Sequence, residues 1–253
     1  MGQGLSEPKN SALWLRRLII LLLPLFLGFS WITWVIGPAY PRVEYAQPDF
    51  PPDQEQPPLT AEERLALALV AVSFLESWQP PEAASTLLAR QQLPHGGGPL
   101  YTPRELSHLR DVKQLTDRIR MLALATAVPV LGGLFFLLRK PPTRYLAYLA
   151  VGQGGVLTVI LLSGLIGLIL FGWSFFFYQF HGLLFSSGSW SFAADDGLMR
   201  LYPERFFFDG GLLLSVGTWL WGMLAAIGGY FLAWRCGKAA QQERVVAHVV
   251  ETV

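Results

Sequence analysis

Two histidines lie in polar stretches that border apolar segments of the sequence. His108 belongs to the segment Glu105-x-x-His108-x-x-Asp111, and His181 follows an aromatic run that ends at Phe180. Histidine both accepts and donates a proton near neutral pH. Two histidines at one membrane face can therefore serve as acid and base in proton transfer on a lipid-borne substrate.

Helix spacing gives His108 a carboxylate neighbour. Residues three or four positions apart share a face of a helix, so Asp111 is expected to lie beside His108. A hydrogen bond from one ring nitrogen to this carboxylate fixes the tautomer and leaves the other nitrogen free. Asp196 is the second nearby carboxylate candidate, in the segment that follows His181.

Each histidine also has a simpler interpretation. His108 alone fits a solvated residue on an interfacial helix, and His181 alone fits an anchor at the membrane interface. A metal site is another alternative, because these histidines with Asp111 and Asp196 offer two nitrogen and two oxygen ligands. The chain has no His-Glu-x-x-His motif to favour a zinc site, and no Gly-x-Ser-x-Gly motif to favour a serine nucleophile.

Composition indicates an integral membrane protein. Of the 253 residues, 52% are hydrophobic and 15% are charged, whereas soluble domains carry about 25% charged residues. The net charge of +1 gives no electrostatic basis for binding nucleic acid. Cys236 is the only cysteine, so an intramolecular disulfide is impossible.

Four apolar segments are long enough to cross about 30 Å of hydrocarbon as helices. They lie at about residues 18–37, 121–138, 145–171 and 211–234. The predicted fold class is an all-α integral membrane protein, with residues 1–253 as a single membrane domain. A cleaved signal peptide is an alternative for the first segment. That segment is longer than a usual signal core, is flanked by Trp31 and Trp34, and ends in Gly37-Pro38-Ala39-Tyr40-Pro41.

Basic residues in the short flanks predict the orientation. They precede the first span, link the second to the third, and follow the fourth: Lys9, Arg16, Arg17, Arg139, Lys140, Arg144, Arg235, Lys238 and Arg244. By the positive-inside rule these flanks and both termini are cytoplasmic. Residues 38–120 and 172–210, which carry both histidines, are then extracytoplasmic helical or re-entrant segments.

Local signals predict the elements of the first outer segment. The proline-rich stretch 48–58 is expected to form an extended, solvated linker. The capping-box pattern at residues 60–63 predicts a helix to about Trp78, which is too short to cross the bilayer. A second short helix is expected at about 82–91. The pattern Thr-Pro-Arg-Glu at residues 102–105 starts a helix that continues into the second span.

Two composite motifs resemble the bacterial lipoprotein intramolecular transacylase (Lit) family. They are Glu105-x-x-His108-x-x-Asp111-Val112 and the series Phe180-His181-x-x-x-Phe185, Trp190, Asp196-x-Leu198 and Leu201-Tyr202-Pro203-Glu204-x-Phe206-Phe207. The resemblance extends to the layout of about residues 10–240. The stretch from Ser186 to Ser189 departs from it, because an Asn-Asp pair is expected before the tryptophan. The proline-rich segment looks like a lineage-specific addition.

The resemblance implies an acyltransferase of the bacterial cytoplasmic membrane that needs no cofactor. Such an enzyme moves the sn-2 acyl chain of a diacylglyceryl lipoprotein to the α-amine of its N-terminal cysteine, which gives a lyso-form lipoprotein. Its partners are this lipoprotein and membrane lipids.

By the same resemblance, His181 is the base for the amine and His108 assists at the oxyanion or the leaving oxygen, and the two roles are interchangeable at this stage. Asp111, Asp196 or Glu105 orients an imidazole, with Asp111 and Asp196 counted in the catalytic set. The residues expected to contact substrate are Arg104, Glu105, Phe180, Trp190 and Tyr202.

Two other functions stay open at this point. A non-enzymatic membrane assembly or partner-binding protein would use the aromatic outer surface and neither histidine. A lipid acyl hydrolase would use water as the acceptor and release free fatty acid. Transport is disfavoured, because transporters tend to carry charges inside their spans and these spans have almost none.

Overall fold

A computed structural model describes residues 10–186 and 188–251, with side chains described up to residue 242. Lys9 of the first basic flank lies outside these residues. The described chain is helical and contains no strand. Its α-helices are α1 (Asn10–Val35), α2 (Ala39–Tyr45), α3 (Ala61–Glu76), α4 (Pro81–Ala89), α5 (Pro103–Leu138), α6 (Pro141–Leu184), α7 (Gly197–Leu201) and α8 (Glu204–Glu251).

Four of these helices, α1, α5, α6 and α8, are long and apolar enough to cross a membrane. The prediction of an all-helical, multi-pass membrane protein is thereby confirmed. The helices are longer than the apolar segments read from the sequence. Helix α5 has 36 residues and α6 has 44, so at 1.5 Å per residue both exceed the ~30 Å of hydrocarbon. The extra length carries the two histidines.

Helix α6 is interrupted at Gly172, whose φ of −142° and ψ of 38° are not helical. The predicted third span ends one residue earlier. The chain then resumes a helical path to Leu184 instead of forming a loop at once. His181 therefore lies on a helical extension of a membrane-spanning helix.

The capping signals predicted the starts of α3 and α5 correctly. The Thr60 hydroxyl accepts a hydrogen bond from the Glu63 amide at 3.2 Å, and the Glu63 carboxylate accepts one from the Thr60 amide at 2.8 Å. At α5 the Thr102 hydroxyl accepts from the Glu105 amide at 3.3 Å. These reciprocal bonds satisfy amides that the first turn of a helix leaves unpaired.

The chain folds as two compact units. Unit 1 comprises the described residues within the ranges 1–30, 122–164 and 215–253. Within it α6 and α8 approach closely through glycines: a Cβ added to Gly155 would lie 2.4 Å from the Ala226 nitrogen, and one added to Gly229 would lie 2.3 Å from the Gly152 nitrogen. Small residues permit such backbone contact between membrane helices, where dispersion forces replace the hydrophobic effect.

Unit 2 comprises residues 31–121 and 165–214 and contains all the predicted site residues. Its core includes the fully buried side chains of Phe74, Leu88 and Leu201, from α3, α4 and α7. Lys113 on α5 is also fully buried. Its ammonium donates to the Ser77 carbonyl at the end of α3 and to Asp117, each at 2.7 Å.

The prediction of an extended, solvated linker holds for most of residues 48–58, which are exposed, and Asp53 departs from it. The segment has no regular secondary structure, but Asp53 forms an ion pair at 2.7 Å with Arg200 of α7, and the two side chains are 2% and 8% exposed. Asp53 also accepts from the Leu59 amide at 2.8 Å. The linker is therefore part of the folded unit, because a buried carboxylate must keep its partners.

Candidate active site

His181 lies on the part of α6 that follows the interruption at Gly172. Its Nδ1 is 2.8 Å from the carbonyl oxygen of Phe177, one helical turn earlier. A carbonyl can only accept a hydrogen bond, so Nδ1 must carry the hydrogen. In the neutral ring the free lone pair is then on Nε2. A backbone carbonyl fixes the tautomer and leaves Nε2 as a proton acceptor.

Aromatic rings surround His181. Ring centroids lie 4.0 Å away for Phe177, 5.0 Å for Trp190, 5.4 Å for Phe180 and 5.7 Å for Phe185. Apolar rings exclude water, and electrostatic interactions strengthen where the local dielectric constant is low. The imidazole is thus held in a low-polarity environment.

His108 lies in the second turn of α5 and is 8% exposed. Its ring packs edge-on against Phe185, with centroids 4.9 Å apart, and lies 5.3 Å from Phe192. Phe185 therefore contacts both histidine rings and brings the two motifs together. The Nδ1 atom of His108 is buried and has no hydrogen-bond partner among the described residues.

Burial keeps His108 uncharged. The stretch 103–120 of α5 carries eight charged residues, so it lies outside the membrane-spanning part of the helix. Burial, and to a lesser extent the nearby His181, lowers the pKa of His108 to about 4. At neutral pH the ring is a neutral imidazole, which has one donor and one acceptor nitrogen.

The predicted carboxylate partners do not reach the imidazoles. No hydrogen bond joins Asp111 to a ring nitrogen of His108 among the described residues, and Nδ1 of His108 is buried without a partner there. Glu105 is fully buried, and its two oxygens accept from the Leu198 and Thr102 amides, each at 2.7 Å. Glu105 therefore joins the start of α5 to the start of α7 and has no free oxygen for orienting a ring.

Arg104 and Asp196 form a second link next to His108. The guanidinium donates to the Asp196 carboxylate at 3.1 Å, and the same oxygen accepts from the Ala193 amide at 2.8 Å. The guanidinium also lies over the Phe192 ring, 5.0 Å from its centroid. Since Phe192 packs on His108, this ion pair holds the chain segment that covers the buried face of the imidazole.

The remaining predicted residues, Tyr202, Phe180 and Trp190, differ in burial and in their contacts. The Tyr202 hydroxyl is buried and donates to the Ala68 carbonyl at 3.1 Å, so it belongs to the core of unit 2. Phe180 is 41% exposed and contacts His181 at its open side. Trp190 packs against His181, and its indole nitrogen is buried without a partner in the described chain.

The four ligands of the metal alternative are not assembled. Among the described residues no three histidine, cysteine, aspartate or glutamate side chains are grouped so as to hold a metal ion. Asp196 is paired with Arg104 instead.

The sequence motif contained Phe185 but did not assign it a contact with both histidines, and sequence reasoning missed the contacts of Phe177 and Phe192. Phe177 and Phe185 lie four residues before and after His181, so helical spacing alone could have identified them. Phe192 contacts His108 from a separate chain segment, and no local pattern points to it.

The fold and the site together define a class: a helical multi-pass membrane protein in which two histidines are set among aromatic rings. The family model "Lipoprotein intramolecular transacylase Lit" matches residues 64–207, which is more than half of the chain. The chain belongs to this family. It is therefore an acyltransferase that acts on lipoproteins in the membrane, as the sequence motifs predicted.

Solved structures and a sequence relative agree with this membership. The membrane integral lipoprotein intramolecular transacylase Lit from Bacillus cereus superposes with a TM-score of 0.63 at 21% identity, over 90% of this chain and 98% of that one. A structure of the same protein with a histidine-to-alanine mutation superposes with a TM-score of 0.58 at 21% identity, over 90% of this chain and 96% of that one. At 21% sequence identity, this structural similarity shows that the two proteins share a fold and shows no more than that. An uncharacterized protein of Aquifex aeolicus (strain VF5) is 27% identical over 186 residues, covering 74% of this chain and 79% of the relative.

Proposed function

We propose that this protein moves the sn-2 acyl chain of an S-diacylglyceryl lipoprotein to the α-amine of its N-terminal cysteine, giving the lyso-form. The proposal depends on one observation: the rings of His108 and His181 both pack against Phe185. A hydrogen bond fixes the tautomer of His181, and burial keeps His108 neutral. Family membership supplies the substrate class.

His181 is the base in this reaction. A cysteine α-amine has a pKa of about 7.7–8.0, so a usable fraction is uncharged near neutral pH and can attack the ester carbon. The nitrogen then carries a proton that must leave. The Phe177 carbonyl holds Nδ1–H of His181, so Nε2 is the atom that accepts this proton.

His108 is the acid at the leaving oxygen. As the bond between the acyl carbon and the sn-2 glycerol oxygen breaks, the electron pair goes to that oxygen, which takes a proton from the neutral imidazole. His108 then recovers a proton from the imidazolium of His181, so that both rings end neutral. Overall one proton moves from the amine to the glycerol oxygen, and no enzyme nucleophile is needed.

Tethering lowers the barrier further, because amine and ester belong to one molecule. Holding them in a reactive fold converts the attack into an intramolecular step, which is worth up to ~7–11 kcal/mol in well-oriented cases. Exposed apolar side chains next to His181, namely Phe180, Leu183 and Leu184, offer a surface for the acyl chains.

Single-residue variants test the assignment. We expect His108→Ala and His181→Ala to abolish the lyso-form, detected by mass spectrometry of a lipoprotein N-terminal peptide from cells that express each variant. His95→Ala is the matched control, because that histidine is exposed and pairs with Glu63 away from the other two. Normal lyso-form yield from either folded site variant contradicts the proposal. Free fatty acid without an N-acyl peptide indicates a hydrolase instead.

Asp111 and Asp196 stay in the proposal as predicted members of the site. Asp196 would act by positioning Phe192 through Arg104. Asp111→Asn decides whether a carboxylate acts on His108 in the substrate complex. Loss of lyso-form with normal melting supports that role, and full activity removes Asp111 from the catalytic set.

We also propose that both termini are cytoplasmic and the histidine site is extracytoplasmic, on the strength of the basic flanks. The lone Cys236 makes this testable. A membrane-impermeant maleimide should label Cys236 only after the cells are permeabilised. In a Cys236→Ala background, Ser186→Cys should be labelled in intact cells. The reverse pattern contradicts this orientation.

A further inference from the structure

Trp190 contains a buried hydrogen-bond donor without a partner. Its Nε1 is shielded from solvent and has no acceptor among the described residues. Other indoles of this chain are satisfied: Trp31 donates to the Leu213 carbonyl at 3.1 Å, Trp173 to Glu204 at 2.7 Å and Trp219 to Ser163 at 3.0 Å. Buried polar groups are almost always paired, and exceptions call for an explanation.

The unpaired donor lies within the histidine site. The Trp190 ring is 5.0 Å from the His181 ring, 5.5 Å from Tyr178 and 6.3 Å from Phe177. These contacts from α6 hold the indole plane in place. A fixed donor therefore lies next to His181, whose Nε2 is a fixed acceptor.

The chemistry of the indole limits what it can bind. Its N–H donates and cannot accept, so it cannot take a proton from the amine. An ester carbonyl under attack becomes an oxyanion, which needs preorganised donors. Resting on the acyl transfer proposed above, we infer that the Trp190 indole N–H donates a hydrogen bond to the sn-2 ester carbonyl oxygen and stabilises the oxyanion.

Three polar groups then serve three atoms of the reacting centre. His181 takes the proton of the amine, Trp190 binds the carbonyl oxygen, and His108 protonates the departing glycerol oxygen. The indole gives up no proton: its hydrogen bond strengthens as charge develops and weakens when the new amide carbonyl forms. For this bond to form, the ester must reach Nε1, which is shielded in the free protein.

Trp190→Phe removes the donor and keeps an aromatic ring. With purified protein and a synthetic diacylglyceryl-cysteine peptide, we expect kcat to fall about 10²–10³-fold, while KM changes less than about threefold, since the bond matters mainly in the transition state. The matched control is Trp78→Phe, because Trp78 is 81% exposed and lies outside the site. This control should leave kcat and KM unchanged.

Inhibitor binding separates an oxyanion donor from a packing residue. A phosphonate in place of the sn-2 ester carries a charged oxygen at the oxyanion position, and an ether analogue carries none. Trp190→Phe should lose about 10²-fold in phosphonate affinity, in line with its kcat, and keep its ether affinity. If phenylalanine prevents folding, a benzothienyl-alanine isostere at position 190 keeps the indole shape without the N–H.

The outcomes distinguish the two proposals. Wild-type kcat in Trp190→Phe, or equal losses of phosphonate and ether affinity, overturns the role of the indole while the acyl transfer stands. Absence of lyso-form product from the wild-type protein overturns the proposed function itself, and this role with it.

Discussion

Glu105 offers a test that separates a residue that holds the fold from one that binds substrate. Its side chain is fully buried, and each oxygen accepts one backbone amide at 2.7 Å, from Leu198 and from Thr102. Glutamine has nearly the same shape but keeps only one acceptor oxygen. In Glu105→Gln an NH₂ group therefore faces an amide donor, and one of the two bonds is lost.

The magnitude follows from that geometry. A hydrogen bond to a charged group contributes about 1.5–3 kcal/mol, and a buried amide without a partner costs about 1–3 kcal/mol. We expect Glu105→Gln to lose about 3–5 kcal/mol of folding free energy. For a protein of this size each kcal/mol corresponds to roughly 2–4 °C in melting temperature, so the variant should melt on the order of 10 °C lower.

The assay is thermal unfolding in detergent combined with kcat and KM for the lipopeptide below the melting temperature. Glu62→Gln is the control, because this exposed glutamate in the first turn of α3 undergoes the same change of charge. Folded Glu105→Gln should keep its KM, since the carboxylate does not face the substrate. A wild-type melting temperature with a severalfold higher KM would refute this reasoning and restore Glu105 to the substrate-binding set.

Three further predictions address the ion pairs and His108. Asp53→Asn should cost about 3–5 kcal/mol by leaving Arg200 buried without its partner; an unchanged melting temperature contradicts the role of this pair. Burial raises the pKa of Asp53, but the hydrogen bonds from Arg200 and neighbouring amides outweigh this and hold it below its usual range. The pair thus stabilises the fold above about pH 3.9, and wild-type melting should fall in more acidic buffer while Asp53→Asn changes less. The lowered pKa of His108, about 4, means that the unfolded chain takes up this proton first, so stability should fall between about pH 6.5 and 4. His108→Gln should weaken that dependence, because the partly buried His181 keeps its own contribution, and an identical pH profile of melting contradicts the role of His108. Arg104→Met should release Asp196 and lower kcat about tenfold or less. Little stability should be lost, because exposed ion pairs contribute about 0–1 kcal/mol. A wild-type kcat would show that the segment around Phe192 keeps its position without the ion pair of Arg104 and Asp196.

The sequence predicted the elements whose signals are local. Apolar length identified the four membrane helices, and the capping patterns at residues 60–63 and 102–105 identified the starts of α3 and α5. The buried pair of Asp53 and Arg200 could not be found in the same way, because its members are 147 positions apart and no pattern links them. Proline content indicated a solvated segment, and it did not reveal that a distant arginine buries the side chain of Asp53 within it.

The same distinction holds within the site. Both histidines were identified from their motifs, but the orienting group of His181 is a backbone carbonyl that composition does not reveal. The spacing of His108 and Asp111 suggested a hydrogen bond between them. The His108 ring packs instead against Phe185 and Phe192, which buries its Nδ1 away from a carboxylate. Packing against other elements, and not spacing along α5, decides where the ring lies.

A histidine site without an orienting carboxylate suits an amine nucleophile. In serine hydrolases a carboxylate stabilises the imidazolium that forms when histidine takes a hydroxyl proton, because a free hydroxyl is a very weak acid. An attacking amine releases its proton after the bond to carbon has formed, when the nitrogen is much more acidic than before. A neutral imidazole in apolar surroundings is a sufficient base for that step. His108 is buried, and the group that orients His181 is the Phe177 carbonyl and not a carboxylate. Both features favour a substrate amine as the group that attacks the ester, rather than an enzyme hydroxyl or water.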